Sequence, residues 1–280
     1  MKIKFTKMHG CGNDYVYINC FDQKIVDPSS LSIALSDRRY GIGGDGIILI
    51  EPSEVADAKM RIFNKDGSEG KMCGNGIRCV AKYLLDNNMF SDSKNIRIDT
   101  LSGVKQLEIL SNNGNEACIK VDMGKAVLDS AQIPVIFSKN KVIAEPITIN
   151  GEVYYITCVS MGNPHCIVFC DEVYSINTKE LGTALATQKI FPEGVNVEFV
   201  SIIDESNIAM RVWERGSGET LACGSGACAS VVAAVENKFC PKNSDITVHL
   251  RGGKLVINYS DDTVQMIGSA VSVFDGKIEI

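Results

Sequence analysis

Short apolar runs that alternate with polar positions dominate the chain. They predict strands over Lys2–Met8, Tyr15–Cys20, Gly46–Ile50, Lys59–Phe63, Ile96–Asp99 and Ala117–Asp122. The later part repeats the habit at Val142–Ile149, Val153–Cys158, Cys166–Cys170, Asn196–Ile202, Ile208–Trp213, Asp245–Leu250 and Lys254–Tyr259. Gly, Asn and Asp punctuate these runs, as turns require. Most links are too short for repeated crossovers, so the pairing is largely antiparallel. Helical spacing appears over 75–87, where Ile77, Val80, Ala81, Leu84 and Leu85 share a face, and over 225–237. The second of these carries no charge between Cys223 and Glu236. A helix apolar on every side is buried on every side, which a curved sheet wrapped around it satisfies. Shorter helices are expected from Ser29/Ser30 and near Asn177.

The chain is written twice. "MCGNG" (Met72–Gly76) and "ACGSG" (Ala222–Gly226) stand 150 positions apart, and the offset holds elsewhere. Gly12-Asn13 faces Gly162-Asn163, Gly44 faces Gly194, Asn64 faces Glu214 and Glu69 faces Glu219. Two homologous halves follow, the period being too long for a solenoid. The expected fold is α/β of the α+β type: two domains, each a mainly antiparallel curved sheet or barrel around a central helix. The domains are expected at 1–123 and 124–269, with the last strand, about 270–280, returning to the first.

Composition narrows the function. The 280 residues carry a net charge of −6 and no long Lys/Arg run, which argues against a nucleic-acid or anionic-membrane partner. The longest apolar stretch, "ACASVVAAV", is about half a membrane span, and the N-terminus lacks a signal-peptide core. A cytoplasmic protein is expected. The eleven cysteines include no Cys-x-x-Cys, so neither a disulfide scaffold nor a zinc ribbon is supported. Most, including Cys79 and Cys228, read as small core residues, and Cys11 reads as structural.

Cys73 and Cys223 differ from the rest because each precedes Gly-x-Gly at a helix start. The free N–H groups and macrodipole there stabilise a thiolate and hold an anion, and glycine lets a ligand approach the backbone. The expectation is a thiol of lowered pKa beside a carboxylate cradle, present twice. Two such thiols on opposite faces of one α-carbon would invert it, one removing a proton and the other delivering one. Metal or cluster binding, and an anion-binding module without catalysis, stand as alternatives. His165, two residues after a repeated Gly-Asn, and the pair Glu214-Arg215, opposite Asn64, are further candidates; His9 is a weaker one, and His249 reads as structural.

The segments "KMHGCGNDYVYIN", "RRYGIGGDGI", "FNKDGSEGKMCGNGIRC", "VSMGNPHCIVF", "GVNVEF" and "VWERGSGETLACGSGACAS" resemble the diaminopimelate epimerase family, in order and over nearly the whole chain. The resemblance implies an isomerase that interconverts LL- and meso-2,6-diaminopimelate with neither cofactor nor metal, serving lysine and peptidoglycan-precursor synthesis. It implies Cys73 and Cys223 as the two bases, with His165 and Glu214 assisting. Gly74-Asn75 and Gly224-Ser225 would hold the reacting carboxylate. Asn13, Asn64, Asn163, Asn196, Glu214 and Arg215 would contact the rest of a small amino-acid substrate. Members commonly form homodimers. A same-fold enzyme acting on proline or hydroxyproline is the nearest alternative. Two positions depart from the family pattern: Gly46 replaces a larger polar residue, and Phe274 a dimer-interface tyrosine.

Overall fold

The computed structural model describes residues 2–90 and 94–279. Met1 and Ile280, the outer ends of the expected first domain and last strand, lie outside them. The chain divides into two compact units: residues 1–122 with 267–280, and residues 123–266. The strands are β1 (Lys2–Gly10), β2 (Asn13–Asn19), β3 (Gly46–Glu51), β4 (Ala58–Asn64), β5 (Glu69–Gly70), β6 (Asn95–Asp99), β7 (Lys105–Asn113) and β8 (Glu116–Gly124). There follow β9 (Glu145–Ile149), β10 (Glu152–Ser160), β11 (Pro164–Phe169), β12 (Asn196–Asp204), β13 (Asn207–Glu214), β14 (Gly218–Thr220), β15 (Asp245–Leu250), β16 (Gly253–Tyr259) and β17 (Val264–Glu279). The helices are α1 (Pro28–Ser36), α2 (Gly74–Asp86), α3 (Thr178–Ala186) and α4 (Gly224–Glu236).

In the first unit, β1-β2-β3-β4-β6-β7-β8-β17 close into a ring, β17 pairing back onto both β8 and β1. Closure pairs each of these eight strands on both sides, so none of them is an edge. α2 packs on β1, β2, β6 and β7, so the ring wraps it. In the second unit, α4 packs on β10, β11, β12, β13, β15 and β16. Its Ala227–Ala234 are all buried, as a helix apolar all round requires.

The pairing is mainly antiparallel. Parallel pairs among the described residues include β2–β3 and β4–β6 in one unit, and β11–β12 and β13–β15 in the other. Each parallel pair needs a crossover, and each crossover carries one of the four helices. The duplication extends to contacts: Arg61 Nε meets Glu69 Oε1 at 2.7 Å, and Arg211 Nε meets Glu219 Oε1 at 2.8 Å.

Some bounds differ from expectation. α1 starts at Pro28 because Asp27, not a serine, caps it by accepting from Ser30 N, and proline suits the first helical position. β9 starts at Glu145 because Ala144, at φ 49°, breaks the extended run. β7 escapes a periodicity reading because only Leu107 and Ile109 along it are buried. β17 is 16 residues long, and its register with β1 runs from His9↔Val271 to Lys2↔Glu279.

Candidate active site

Cys73 and Cys223 hold the same post in their units. Each is the N-cap of the central helix with extended backbone (φ −133°, ψ 118° and φ −120°, ψ 113°). Each sulfur accepts from an N–H of the first turn, Gly76 N or Gly226 N, at 3.3 Å. The cap satisfies one of the helix's orphan donors. Cys79 and Cys228, farther along the helices, are buried in the core, as is Cys11.

Around Cys73, the β1–β2 turn is Cys11-Gly12, both at positive φ (53° and 76°), a tight hairpin that delivers Asn13 to the first position of β2. Asn13 Oδ1 receives the Cys73 thiol at 3.3 Å, and Asn13 Nδ2 donates to Asp45 Oδ2 at 2.8 Å. Asp45 is tied to Arg38, which also grips Asp14. Asn75 is buried, its Oδ1 taken by Arg78 at 2.9 Å, and Arg78 also donates to Gly74 O at 3.0 Å. Asn64 ends β4, donating to Ser68 Oγ at 3.0 Å. Opposite it in the ladder is Gly46, where a Cβ would fall 2.0 Å from the Phe63 carbonyl oxygen. The departure at Gly46 is therefore steric as well as chemical: the backbone of β4 fills the side chain's space.

Around Cys223, Ser225 Oγ lies 3.5 Å from the sulfur. Glu214 ends β13 and accepts from Thr220 Oγ1. Asn196, buried at the start of β12, accepts from the backbone N–H of Arg215 at 2.8 Å, and the exposed Arg215 guanidinium reaches Glu193 O. His165 is wholly buried: Nδ1 lies 2.7 Å from Glu198 Oε1, and Nε2 lies 3.0 Å from Asn163 Oδ1.

Two findings depart from the sequence reading. The Cys223 thiol is pushed up, not down: burial disfavours the thiolate, and the Glu214 and Glu198 carboxylates add to that. The Ser225 hydroxyl and the Gly226 N–H offset this only in part. The second is Glu198, which motif reading passed over. It is wholly buried on β12, and its Oε2 has no partner among the described residues, at a typical cost of ~1–3 kcal/mol. The available signal was the repeat itself, which sets a glutamate opposite the aliphatic Ile48.

A cavity of about 500 Å³ in the first unit is lined by residues such as Lys4, Asn19, Tyr83 and Asn87, and by none of the candidates above. Among the described residues, no group of three or more His, Cys, Asp or Glu is gathered to hold a metal ion. No described helix is long and apolar enough to cross a membrane.

Solved structures share this architecture. A phenazine biosynthesis protein of the PhzF family from Bacillus anthracis matches with a TM-score of 0.72 over 100% of both chains, at 16% identity. A hydroxyproline epimerase from Agrobacterium vitis, holding trans-4-hydroxy-L-proline, matches with a TM-score of 0.70 over 99% of this chain and 91% of that one, at 13% identity. At those identities the likeness is one of fold, and the fold is the duplicated one shared by these epimerases and PhzF proteins.

Sequence comparison goes further. The diaminopimelate epimerase profile matches residues 5–128 and 157–273. The diaminopimelate epimerase of Methanococcus maripaludis strain C5 is 49% identical over 99% of this chain and 100% of its own length. That of Acetivibrio thermocellus is 47% identical over 99% of both. The chain belongs to the diaminopimelate epimerase family, and with it to the amino-acid epimerases among the isomerases.

Proposed function

We propose that this protein interconverts LL- and meso-2,6-diaminopimelate by two-base proton transfer between Cys73 and Cys223, without a cofactor. The observation that carries the reading is their equivalence: two cysteines, one per repeat, each capping the buried helix of its unit with the same 3.3 Å contact to a first-turn N–H.

In the proposed reaction one cysteine, as thiolate, takes the α-proton. The C–H bond breaks, an S–H bond forms, and the electron pair spreads into the carboxylate. The second cysteine, as thiol, gives its proton to the opposite face and becomes the thiolate. The two sulfurs thereby exchange roles, and the reverse reaction uses the same pair. N–H groups at the helix starts, at Gly74-Asn75 and Gly224-Ser225, meet the charge on the carboxylate as it develops. Glu214 and His165 assist near the reacting amine. Arg215 supplies a fork for the distal carboxylate, and Asn13, Asn64, Asn163 and Asn196 read ammonium and carboxylate groups. The product serves lysine and peptidoglycan-precursor synthesis, and the protein works as a cytoplasmic homodimer, where reduced thiols persist.

The test is solvent isotope exchange. In deuterated water the enzyme is expected to place deuterium at one α-carbon of diaminopimelate, and Cys73→Ala and Cys223→Ala to abolish it. Turnover of proline with no turnover of diaminopimelate would overturn the substrate assignment. Near-normal turnover in either variant would remove that cysteine from the mechanism. Sedimentation velocity decides the dimer: a monomer at all concentrations defeats it.

A further inference from the structure

Glu198 and His165 have no chemical counterparts in the first repeat. The 150-residue offset sets Glu198 opposite Ile48, and His165 opposite Tyr15. Ile48 and Glu198 are both wholly buried, on β3 and β12. Both point at the first turn of their unit's helix: a Cβ on Gly76 would meet Ile48 Cδ1, and one on Gly226 would meet Glu198 Oε1. The fold therefore accepts an aliphatic side chain at this point. The carboxylate in the second unit is costly, with one oxygen unpartnered among the described residues, and so calls for a reason beyond packing.

The reason lies in what Glu198 touches. Oε1 takes His165 Nδ1, which leaves Nε2 as the ring's one remaining polar atom. Nδ1 faces a carboxylate oxygen, and Nε2 lies 3.0 Å from Asn163 Oδ1; both partners only accept, so both ring nitrogens donate, with the Glu198 carboxylate balancing the ring's charge. Asn163 thus spends its carbonyl, while its NH2 group has no partner among the described residues. Asn13, the same position of the other repeat, is held the other way round. Its NH2 is spent on Asp45 Oδ2, and its carbonyl faces Cys73.

We propose that Glu198 is a positioning residue for the epimerase reaction: acting through His165, it holds Asn163 with the amide NH2 turned outward as a donor to a substrate carboxylate, while Asp45 holds Asn13 with the carbonyl outward as an acceptor for a substrate ammonium. The inference rests on the reading of the protein as an amino-acid epimerase. Each asparagine, locked in one sense, selects by polarity the charged group that meets it. A free amide could turn over and present either end.

The first test is independent of activity. Histidine labelled with nitrogen-15 in the full chain gives signals from only His9, His165 and His249, and a His165→Gln variant identifies the one needed. The expected spectrum shows a protonated Nε2 on His165 at neutral pH; a bare Nε2 overturns the proposal whatever the variants do. The second test is kinetic, with LL-diaminopimelate. Glu198→Ile, which installs the first repeat's residue, is expected to raise KM by about tenfold or more, with a smaller change in kcat. Glu198→Gln can donate to Nδ1 and leave Nε2–H on Asn163, so its KM is expected to stay within about threefold of the parent. Glu198→Ile combined with Asn163→Ala should be no worse than Asn163→Ala alone. A Glu198→Ile enzyme with unchanged KM, or a Glu198→Gln enzyme as impaired as Asn163→Ala, overturns the positioning role. Should Glu198→Ile not fold, the spectrum and Glu198→Gln decide. A parent enzyme inert toward diaminopimelate defeats the substrate reading instead, and the spectrum then decides the positioning role.

Discussion

Ile48 and Glu198 occupy one point of the duplicated fold: Ile48 Cδ1 stands 2.6 Å from where a Cβ on Gly76 would lie, and Glu198 Oε1 stands 2.5 Å from where one on Gly226 would lie. The same substitution should therefore have unequal effects. Gly→Ala inside a helix gains up to ~1 kcal/mol of propensity, whereas overpacking costs ~1–3 kcal/mol. In Gly76→Ala the obstacle is a terminal methyl, which a rotamer change can shift, so stability should stay within about 1 kcal/mol of the parent. In Gly226→Ala the obstacle is a carboxylate hydrogen-bonded to His165, with Cys223 Sγ at 3.2 Å from the same point. A loss of ~1–3 kcal/mol is expected there, together with a clear fall in kcat/KM. Urea denaturation and a steady-state assay read both. Equal behaviour of the two variants would show that the repeats are not distinguished at this point.

Alanine at either capping cysteine should separate chemistry from stability. Each sulfur caps a helix and meets a polar side chain besides, Asn13 at Cys73 and Ser225 at Cys223, and losing a cap costs ~1 kcal/mol. Cys73→Ala and Cys223→Ala are therefore expected to keep a cooperative unfolding transition close to the parent's while α-proton exchange disappears. Loss of the folded state in either variant would mean that the thiol is structural first.

What could be read in advance, and what could not, follows from how each residue signals. Helical spacing after a cysteine and glycines placed α2 and α4 within one residue of their observed starts, because the capping sulfur, the small first turn and the apolar face agree. The repeat offset paired Asn13 with Asn163 and Asn64 with Glu214: Asn13 opens β2 and Asn163 immediately precedes β11, while Asn64 and Glu214 are the last residues of β4 and β13. Glu198 stayed hidden because β12 is covered on both faces. Val197 and Phe199 are as buried as Glu198, so alternation carries no sign of which way it points. The direction of the Cys223 shift was hidden for a related reason. A helix start is local and visible in sequence, whereas the carboxylates of Glu198 and Glu214 reach the sulfur from other strands.

Buried thiols give stability a pH dependence. Burial pushes Cys79 up to about 11 and Cys20 up to about 12, and Cys223 well above the ordinary thiol value. In the unfolded chain these groups lose protons near pH 8.5 (roughly the free cysteine value), while the folded protein keeps them. Their contribution is therefore complete below about pH 8.5 and declines as pH rises toward the folded values, because the folded state then binds more protons. Urea midpoints taken across the alkaline range should fall steadily, and Cys79→Ala should flatten the slope between pH 9 and about 11. Midpoints that hold or rise over that interval would contradict the direction assigned to these thiols.

Arg78 joins the first turn of α2 to the returning strand β17, and its shape matters as much as its charge. It is wholly buried, and the acceptors around its fork include three oxygens: Gly74 O at 3.0 Å, Asn75 Oδ1 at 2.9 Å and Ser269 O at 3.1 Å. The second repeat has Cys228 at this position, so no equivalent cation braces α4. Lysine would keep the charge but present it from one point, which cannot serve three acceptors set around a planar fork. Each buried acceptor left unpaired costs ~1–3 kcal/mol. Arg78→Lys should therefore lose at least about 2 kcal/mol in urea denaturation. It should also lower kcat/KM, because the turn it braces carries Gly74, Asn75 and the cap Cys73. Arg39→Lys, in the exposed segment after α1, is the control and should change stability by no more than about 0.5 kcal/mol. If Arg78→Lys were as mild as that control, the guanidinium would be acting as a buried charge alone, with no role in shaping the helix start.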